Sequence, residues 1–147
     1  MKKKAIIVDL DGTLSDSSHR QHFMTQKKKD WDAFYNALSD DPPNKWCLEL
    51  SDNFYNSGYS IVLVTGRPSN YIDKTEVWLD LNQVSYERLI MRTEGDYRPD
   101  YIIKQEIYEK HIKNEFDVLF AVDDRKQVVD MWRKNGITCL QCAEGDF

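Results

Sequence analysis

The sequence predicts a three-layer α/β fold built on a central, mainly parallel five-stranded sheet, with a small helical insertion near its start. Two observations carry this. The apolar runs at 5–8, 61–64, 89–91, 118–122 and 137–140 are near-continuous rather than alternating, as expected of strands buried on both faces of a parallel sheet. Helical patterns lie between the runs, and strand–helix alternation implies right-handed crossovers onto one sheet. A length of 147 residues, 41% of them hydrophobic, fits a single domain over 1–147.

Taken in order, the run 5–8 is the first strand and stops at Asp9. The stretch 15–41 is polar, charged and aromatic, containing Trp31, Phe34 and Tyr35. It reads as a helical cap insertion, punctuated by Pro42-Pro43. Trp46, Leu50 and Phe54 share one helical face, and Gly58 marks the stop. After the second strand, Ser69 is a cap candidate for the helix carrying Tyr71, Ile72, Thr75, Trp78 and Leu79. Asp100 stands at the N-cap of a helix carrying Ile103, Ile107, Tyr108 and Ile112. Val128, Val129 and Trp132 form the last helical face, ended by Gly136.

Bulk properties exclude several classes. A mean hydropathy of -0.66 and 31% charged residues predict a soluble chain. No apolar run reaches the roughly 18 residues that a membrane helix needs. Lys2-Lys3-Lys4 is followed by too short an apolar run for a signal peptide, so the cytoplasm is the expected location. A net charge of -5 argues against non-specific wrapping of nucleic acid. It leaves room for a local basic grip on a strand end. Cys47, Cys139 and Cys142 make no disulfide framework, and Cys139-Leu-Gln-Cys142 lacks a second pair for zinc.

The chemistry-bearing residues sit where strands stop or helices begin. Ligands of open α/β sheets bind beyond the carboxyl ends of the strands, and Asp9, Thr65 and Asp123-Asp124 all follow strands. Asp9 is a candidate nucleophile, able to form an aspartyl-phosphate. Asp11 is placed to protonate a leaving oxygen and then deprotonate water. Gly12 permits a tight turn that Thr13 can tie down. Thr65 and Gly66 offer a hydroxyl and a backbone N–H at an expected helix N-terminus, and Arg67 offers a fork for phosphate. Lys104 would neutralise charge on a transferring group, with Asp100 one helical turn before it to pair with it. Asp123 and Asp124, with Asp9 and a backbone carbonyl, suit a hard cation that keeps several waters, which means magnesium. Arg20 is a candidate phosphate contact. His19 and His22 read as surface residues, and Lys27-Lys28-Lys29 as a solvated helix face.

Asp9-Leu-Asp-Gly-Thr13, Thr65-Gly-Arg67, Lys104 and Asp123-Asp124, in that order, resemble the four motifs of the haloacid dehalogenase superfamily of aspartate-nucleophile phosphatases. The resemblance implies a Rossmann-like fold, a magnesium ion and an aspartyl-phosphate intermediate. It assigns Asp9, Asp11, Thr65 and Lys104 to catalysis, and Asp9, Asp11, Asp123 and Asp124 to the metal. The segment 116–136 and the closing Gly145-Asp-Phe147 are similar to the phosphatase domain of bacteriophage polynucleotide kinase, which removes 3′-phosphates from nucleic acid ends and nucleotides. That narrower resemblance implies substrate-binding roles for Arg20, Gly66, Arg67, Asp100 and Arg125. No GxxxxGK[ST] occurs, so no ATP-dependent 5′ phosphorylation is expected.

Other readings compete. A phospho-receiver domain has similar length and residue types, but its acidic pair follows the first strand, whereas here the nucleophile leads. A binding module with a decayed site would not keep every motif residue. Within phosphatases, a nucleoside monophosphate or sugar phosphate is the alternative substrate.

Overall fold

The computed structural model describes residues 1–145. Five strands, β1 (Lys3–Val8), β2 (Ser60–Pro68), β3 (Arg88–Arg92), β4 (Phe116–Asp123) and β5 (Cys139–Gln141), form one sheet in the order β3-β2-β1-β4-β5. Every neighbouring pair is parallel. The chain steps outward from β1 to β3 on one side, then returns to β4 and β5 on the other. Its direction of travel therefore reverses between β1 and β4, which is where an open α/β sheet leaves a crevice.

Alternation along β1 divides the apolar residues between two cores. Ala5 and Ile7 face a cluster with Val62, Val64 and Ala121, closed by Ile103 and Ile107 of α5 (Asp100–Ile107) and Val128, Val129 and Trp132 of α6 (Lys126–Lys134). Ile6 and Val8 face the opposite way, with Leu63, Phe120 and Val122, against Cys47 of α3 (Lys45–Asn56) and Trp78 and Leu79 of α4 (Ile72–Leu81). Helices thus cover both faces in a Rossmann-like arrangement, and the central residues of β1, β2 and β4 are buried on both sides. That is why their sequences show no alternation of polar residues.

The segment between β1 and α3 carries a 3₁₀ turn (Ser18–Arg20), α1 (His22–Thr25), α2 (Trp31–Asn36) and a second 3₁₀ turn (Ala37–Asp40). Asp30 caps α2 by accepting from the Ala33 N–H at 3.0 Å. The Trp78 indole N–H donates to the Asp41 carbonyl at 2.8 Å, and the Asp16 N–H donates to the Pro42 carbonyl at 2.8 Å. These bonds fasten the segment to α4 and to the turn after β1. Among the described residues, no helix is long and apolar enough to cross a membrane.

Four local expectations need correction. β2 continues through Thr65-Gly66-Arg67 to Pro68, with its register to β3 broken between Thr65 and Pro68, so Gly66 lies in a strand and not at a helix N-terminus. Ser69 sits inside a 3₁₀ turn and accepts from the Glu94 N–H at 3.0 Å instead of capping a helix. Pro99 holds the N-cap of α5, and Asp100 is its first helical residue, with a carboxylate turned inward. Trp46 is 45% exposed, whereas Leu50 and Phe54 of the same expected face do pack against the core, beside the fully buried Cys47 and Ser51. Asp146 and Phe147, part of the closing motif, lie outside the described residues.

The α5/α6 side of the sheet depends on Trp132, which is almost fully buried and meets the Tyr108 ring edge-on at 5.9 Å. Trp132→Ala is expected to lower unfolding free energy by about 3–5 kcal/mol. Leu140→Ala, at a half-exposed position, is expected to stay within about 0.5 kcal/mol. Urea denaturation of both variants checks the contrast.

Candidate active site

Asp9 follows β1 directly, and its N–H donates to the Val122 carbonyl at 3.1 Å, continuing the β1–β4 ladder by one residue. Asp123 closes β4. The parallel register therefore sets the two carboxylates side by side at the crevice. Lys104 reaches them from α5. Its Nζ lies 2.9 Å from Asp9 Oδ1, 2.9 Å from Asp123 Oδ2 and 3.6 Å from Asp100 Oδ2, with the side chain only 1% exposed. A buried ammonium survives only when paired. Here the carboxylates raise the Lys104 pKa well above its ordinary value although burial acts to lower it.

Gly12 takes φ +79°, and a Cβ there would strike the Asp124 carboxylate. The bare turn lets Thr13 reach back, and its Oγ1 donates to Asp9 Oδ2 at 3.1 Å. The Asn44 amide holds the Thr13 carbonyl at 2.8 Å. A substituent on Gly66 would likewise strike the Asp100 carboxylate, so both motif glycines make room for acids. Thr65, fully buried, accepts from the Arg67 N–H at 3.1 Å.

Asp9, Asp123 and Asp124 each offer an oxygen within 4.8 Å of the others. Burial first, and Asp123 next, push the Asp9 carboxyl well above its usual range. The same two causes push Asp124 up to about 6. Three carboxylates against one lysine leave uncompensated negative charge in a buried place. A small, hard divalent cation fits that donor set and that charge. Asp123 Oδ1 also accepts from the Arg125 N–H at 3.0 Å, which orients it.

Asp11 belongs to a different cluster. Arg67 donates to it from Nη2 at 2.7 Å and from Nε at 3.1 Å, and Arg20 Nη2 pairs with the same oxygen. Burial opposes ionisation, but the two guanidiniums prevail and hold the Asp11 carboxyl well below the usual range. Its carboxylate is not one of the three in the acidic group, and both of its oxygens accept from arginine. Arg20 and Arg67 are both 0% exposed, with their guanidiniums turned to Asp11. No local pattern points to the residue that organises them. Asp41, buried at the end of the insertion, accepts from Arg20 Nη2 at 2.6 Å and Nε at 2.9 Å. It also bonds Nε2 of His19, a residue that stays on the surface as expected, at 2.6 Å.

Arg92, likewise unforeseen, donates from Nε to the Gly66 carbonyl at 2.8 Å and from Nη1 to the Arg98 carbonyl at 2.6 Å and the Asp96 carbonyl at 3.0 Å. Arg125 Nη1 lies 3.7 Å from Asp100. A cavity of about 500 Å³ opens over Asp9, Asp11, Asp123 and Asp124, with Trp31 and Tyr35 on its far wall. Burial pushes the thiols of Cys139 and Cys142 up to about 12 and 11, so both stay protonated and inert at neutral pH.

Comparison with known proteins agrees with this geometry. The family model described as the polynucleotide kinase PNKP phosphatase domain matches residues 3–147. A chain in the structure of the Pnkp1/Rnl/Hen1 RNA repair complex is 38% identical and superposes with a TM-score of 0.84 over 99% of this chain and 44% of that one. The "Putative bifunctional polynucleotide kinase/RNA ligase" of Autographa californica nuclear polyhedrosis virus is 26% identical over 134 residues, covering 88% of this chain and 18% of the viral protein. The class C acid phosphatase of Bacillus anthracis, at 17% identity, TM-score 0.69, 99% of this chain and 70% of that one, shares the fold. The chain thus spans less than half the length of the polynucleotide kinase relatives that it matches. With an Asp-x-Asp turn after β1, a lysine from α5 between two strand-end carboxylates and a family model matched along almost the whole chain, the protein belongs to the polynucleotide kinase PNKP phosphatase-domain family.

Proposed function

We propose that this chain is a magnesium-dependent phosphomonoester hydrolase that works through an aspartyl-phosphate on Asp9 and removes 3′-phosphates from nucleic acid ends or nucleotides. The observation that carries this is Lys104 set between Asp9 and Asp123 within a group of three carboxylates. The alternative, a phosphatase for some other small phosphoester, shares the chemistry and differs only in substrate.

Asp9 attacks phosphorus, the P–O ester bond breaks, and the departing oxygen takes a proton from Asp11. Lys104 steadies the carboxylate and the charge on the transferring group. Thr13 holds the second Asp9 oxygen in place. Asp9, Asp123 and Asp124 are the residues to hold magnesium, which when bound offsets repulsion between these carboxylates and the phosphate dianion. Asp11 then takes a proton from the water that hydrolyses the aspartyl-phosphate. Its two arginines lower its affinity for a proton, which makes it the stronger acid toward the leaving oxygen and the weaker base toward water. Three free cysteines fit a reducing cytoplasm.

Asp9→Asn is expected to abolish phosphate release from a 3′-phosphorylated oligonucleotide, with an unchanged circular dichroism spectrum. A panel of 3′- and 5′-mononucleotides and sugar phosphates, compared by kcat/KM, is expected to favour the 3′-phosphorylated nucleic acid substrates; a preference for sugar phosphates would defeat the substrate assignment.

Asp11→Asn is expected to slow the second step by about 10²–10⁴-fold. With p-nitrophenyl phosphate, whose leaving group needs no acid, it gives a burst of nitrophenol near the enzyme concentration and then slow turnover. Rapid mixing detects the burst.

The Asp124 carboxyl, raised to about 6, links stability to pH. Its folded value lies above its unfolded one, so its contribution is present below the unfolded pKa and lost as pH rises through 6. Asp9 acts in the same direction. Without added metal, Asp124→Asn is therefore expected to raise Tm by a few degrees at pH 7.5 and scarcely at pH 4. Magnesium is expected to raise the wild-type Tm at pH 7.5 and to do so less at pH 5, where protons compete for the same oxygens. Thermal scans at these values, with and without magnesium, test both.

A further inference from the structure

A second cavity, about 380 Å³, adjoins the catalytic cleft and shares Trp31, Tyr35, Arg92, Asp100 and Arg125 with it as a common wall. Its character differs from that of the cleft. Trp31 stacks on Tyr35 with centroids 5.9 Å apart and planes at 21°, and Tyr35 in turn meets Tyr71 at 5.2 Å. Tyr71 is pinned by its hydroxyl, which donates to Asp32 at 3.2 Å. Although the stack has a buried end, Trp31 is 51% exposed. The other side is the loop after β3, where Tyr97 is 94% exposed. A fully solvated tyrosine and a half-solvated tryptophan on one cavity contribute little to folding. Their cost is acceptable where they meet a ligand.

The charges narrow the ligand. Asp32, Glu94 and Asp96 line this cavity. Arg98 is tied to Asp96 and Glu106, and Arg92 to main-chain carbonyls. Asp32 and Glu94 offer carboxylate oxygens that accept hydrogen bonds from the amino and imino groups of a base, while Arg92 and Arg125 lie on the wall shared with the catalytic cleft. We infer that this aromatic cavity is the subsite for the base of the terminal nucleoside, whose 3′-phosphate lies beside Asp9. The inference rests on the proposed 3′-phosphatase activity and deepens it: the enzyme selects an unpaired base together with the phosphate, because a base held in a stacking partner's place is out of its own helix.

The test compares a nucleoside 3′-phosphate with the matched 1-O-methyl deoxyribose 3-phosphate, which lacks the base. Base stacking on aromatic side chains is worth roughly 1–3 kcal/mol, so the base should raise kcat/KM about tenfold or more, mainly through KM. Trp31→Ala and Tyr97→Ala should each pull the ratio of the two substrates toward one, and Trp31→Phe should keep most of it. An oligonucleotide with a recessed, base-paired 3′-phosphate should react more slowly than its single-stranded counterpart. A wild-type ratio near one, or a ratio untouched in the two alanine variants, overturns the subsite while leaving 3′-phosphatase activity standing. Hydrolysis of sugar phosphates with no hydrolysis of any nucleoside 3′-phosphate overturns both.

Discussion

One ammonium group holds the centre together. Lys104 arrives from a helix on one face of the sheet and meets carboxylates at the ends of two neighbouring strands. Without its positive charge, Asp9, Asp123 and Asp124 would repel one another in a poorly solvated crevice. The sheet order is what makes the meeting possible: β1 and β4 are adjacent although far apart in sequence, and α5 enters just before β4. Strand register, helix placement and charge balance thus converge on a single side-chain position.

The two aspartates of the first motif, only two residues apart, live in opposite electrostatic settings. Asp9 faces acids and is pushed toward its neutral form, whereas Asp11 faces two arginines and is held ionised. Divergence of neighbouring carboxylates is a means of giving each a separate task in acid–base chemistry. The separation occurs across Leu10 alone, a buried residue at which β1 has ended and the chain begins to turn. Asp41 extends the basic cluster by fixing Arg20 from the far end of the insertion. The insertion is therefore wired to Asp11 through charge as well as packing.

Much of this was legible in the sequence, for physical reasons. Strands buried on both faces leave unbroken apolar runs, and acids at the end of such runs stand out because the core excludes them. Asp9, Asp123 and Asp124 were visible on that ground, and their meeting in one group follows from parallel strands. What escaped was anything decided by long-range partners. Arg20 and Arg67 looked like cations awaiting an anion, because a sequence does not show that the anion is Asp11 or Asp41. Asp100 reads both as a helix cap and as a partner of Lys104; the pairing is present, and what a local rule does not show is that Arg92 and Arg125 join it. Gly66 was assigned to a helix start because Pro68 and Ser69 follow, yet the strand runs on past it.

Arg92 has a further implication. By gripping the Gly66 carbonyl with one nitrogen and the carbonyls of Asp96 and Arg98 with another, it moors the loop after β3 to the second catalytic motif through main-chain atoms alone. Main-chain acceptors are indifferent to side-chain identity. Glu94 and Tyr97, both exposed, are thus free to diversify while the anchorage persists, and a lineage could retune what the enzyme accepts by rewriting these two positions without disturbing a single reacting group.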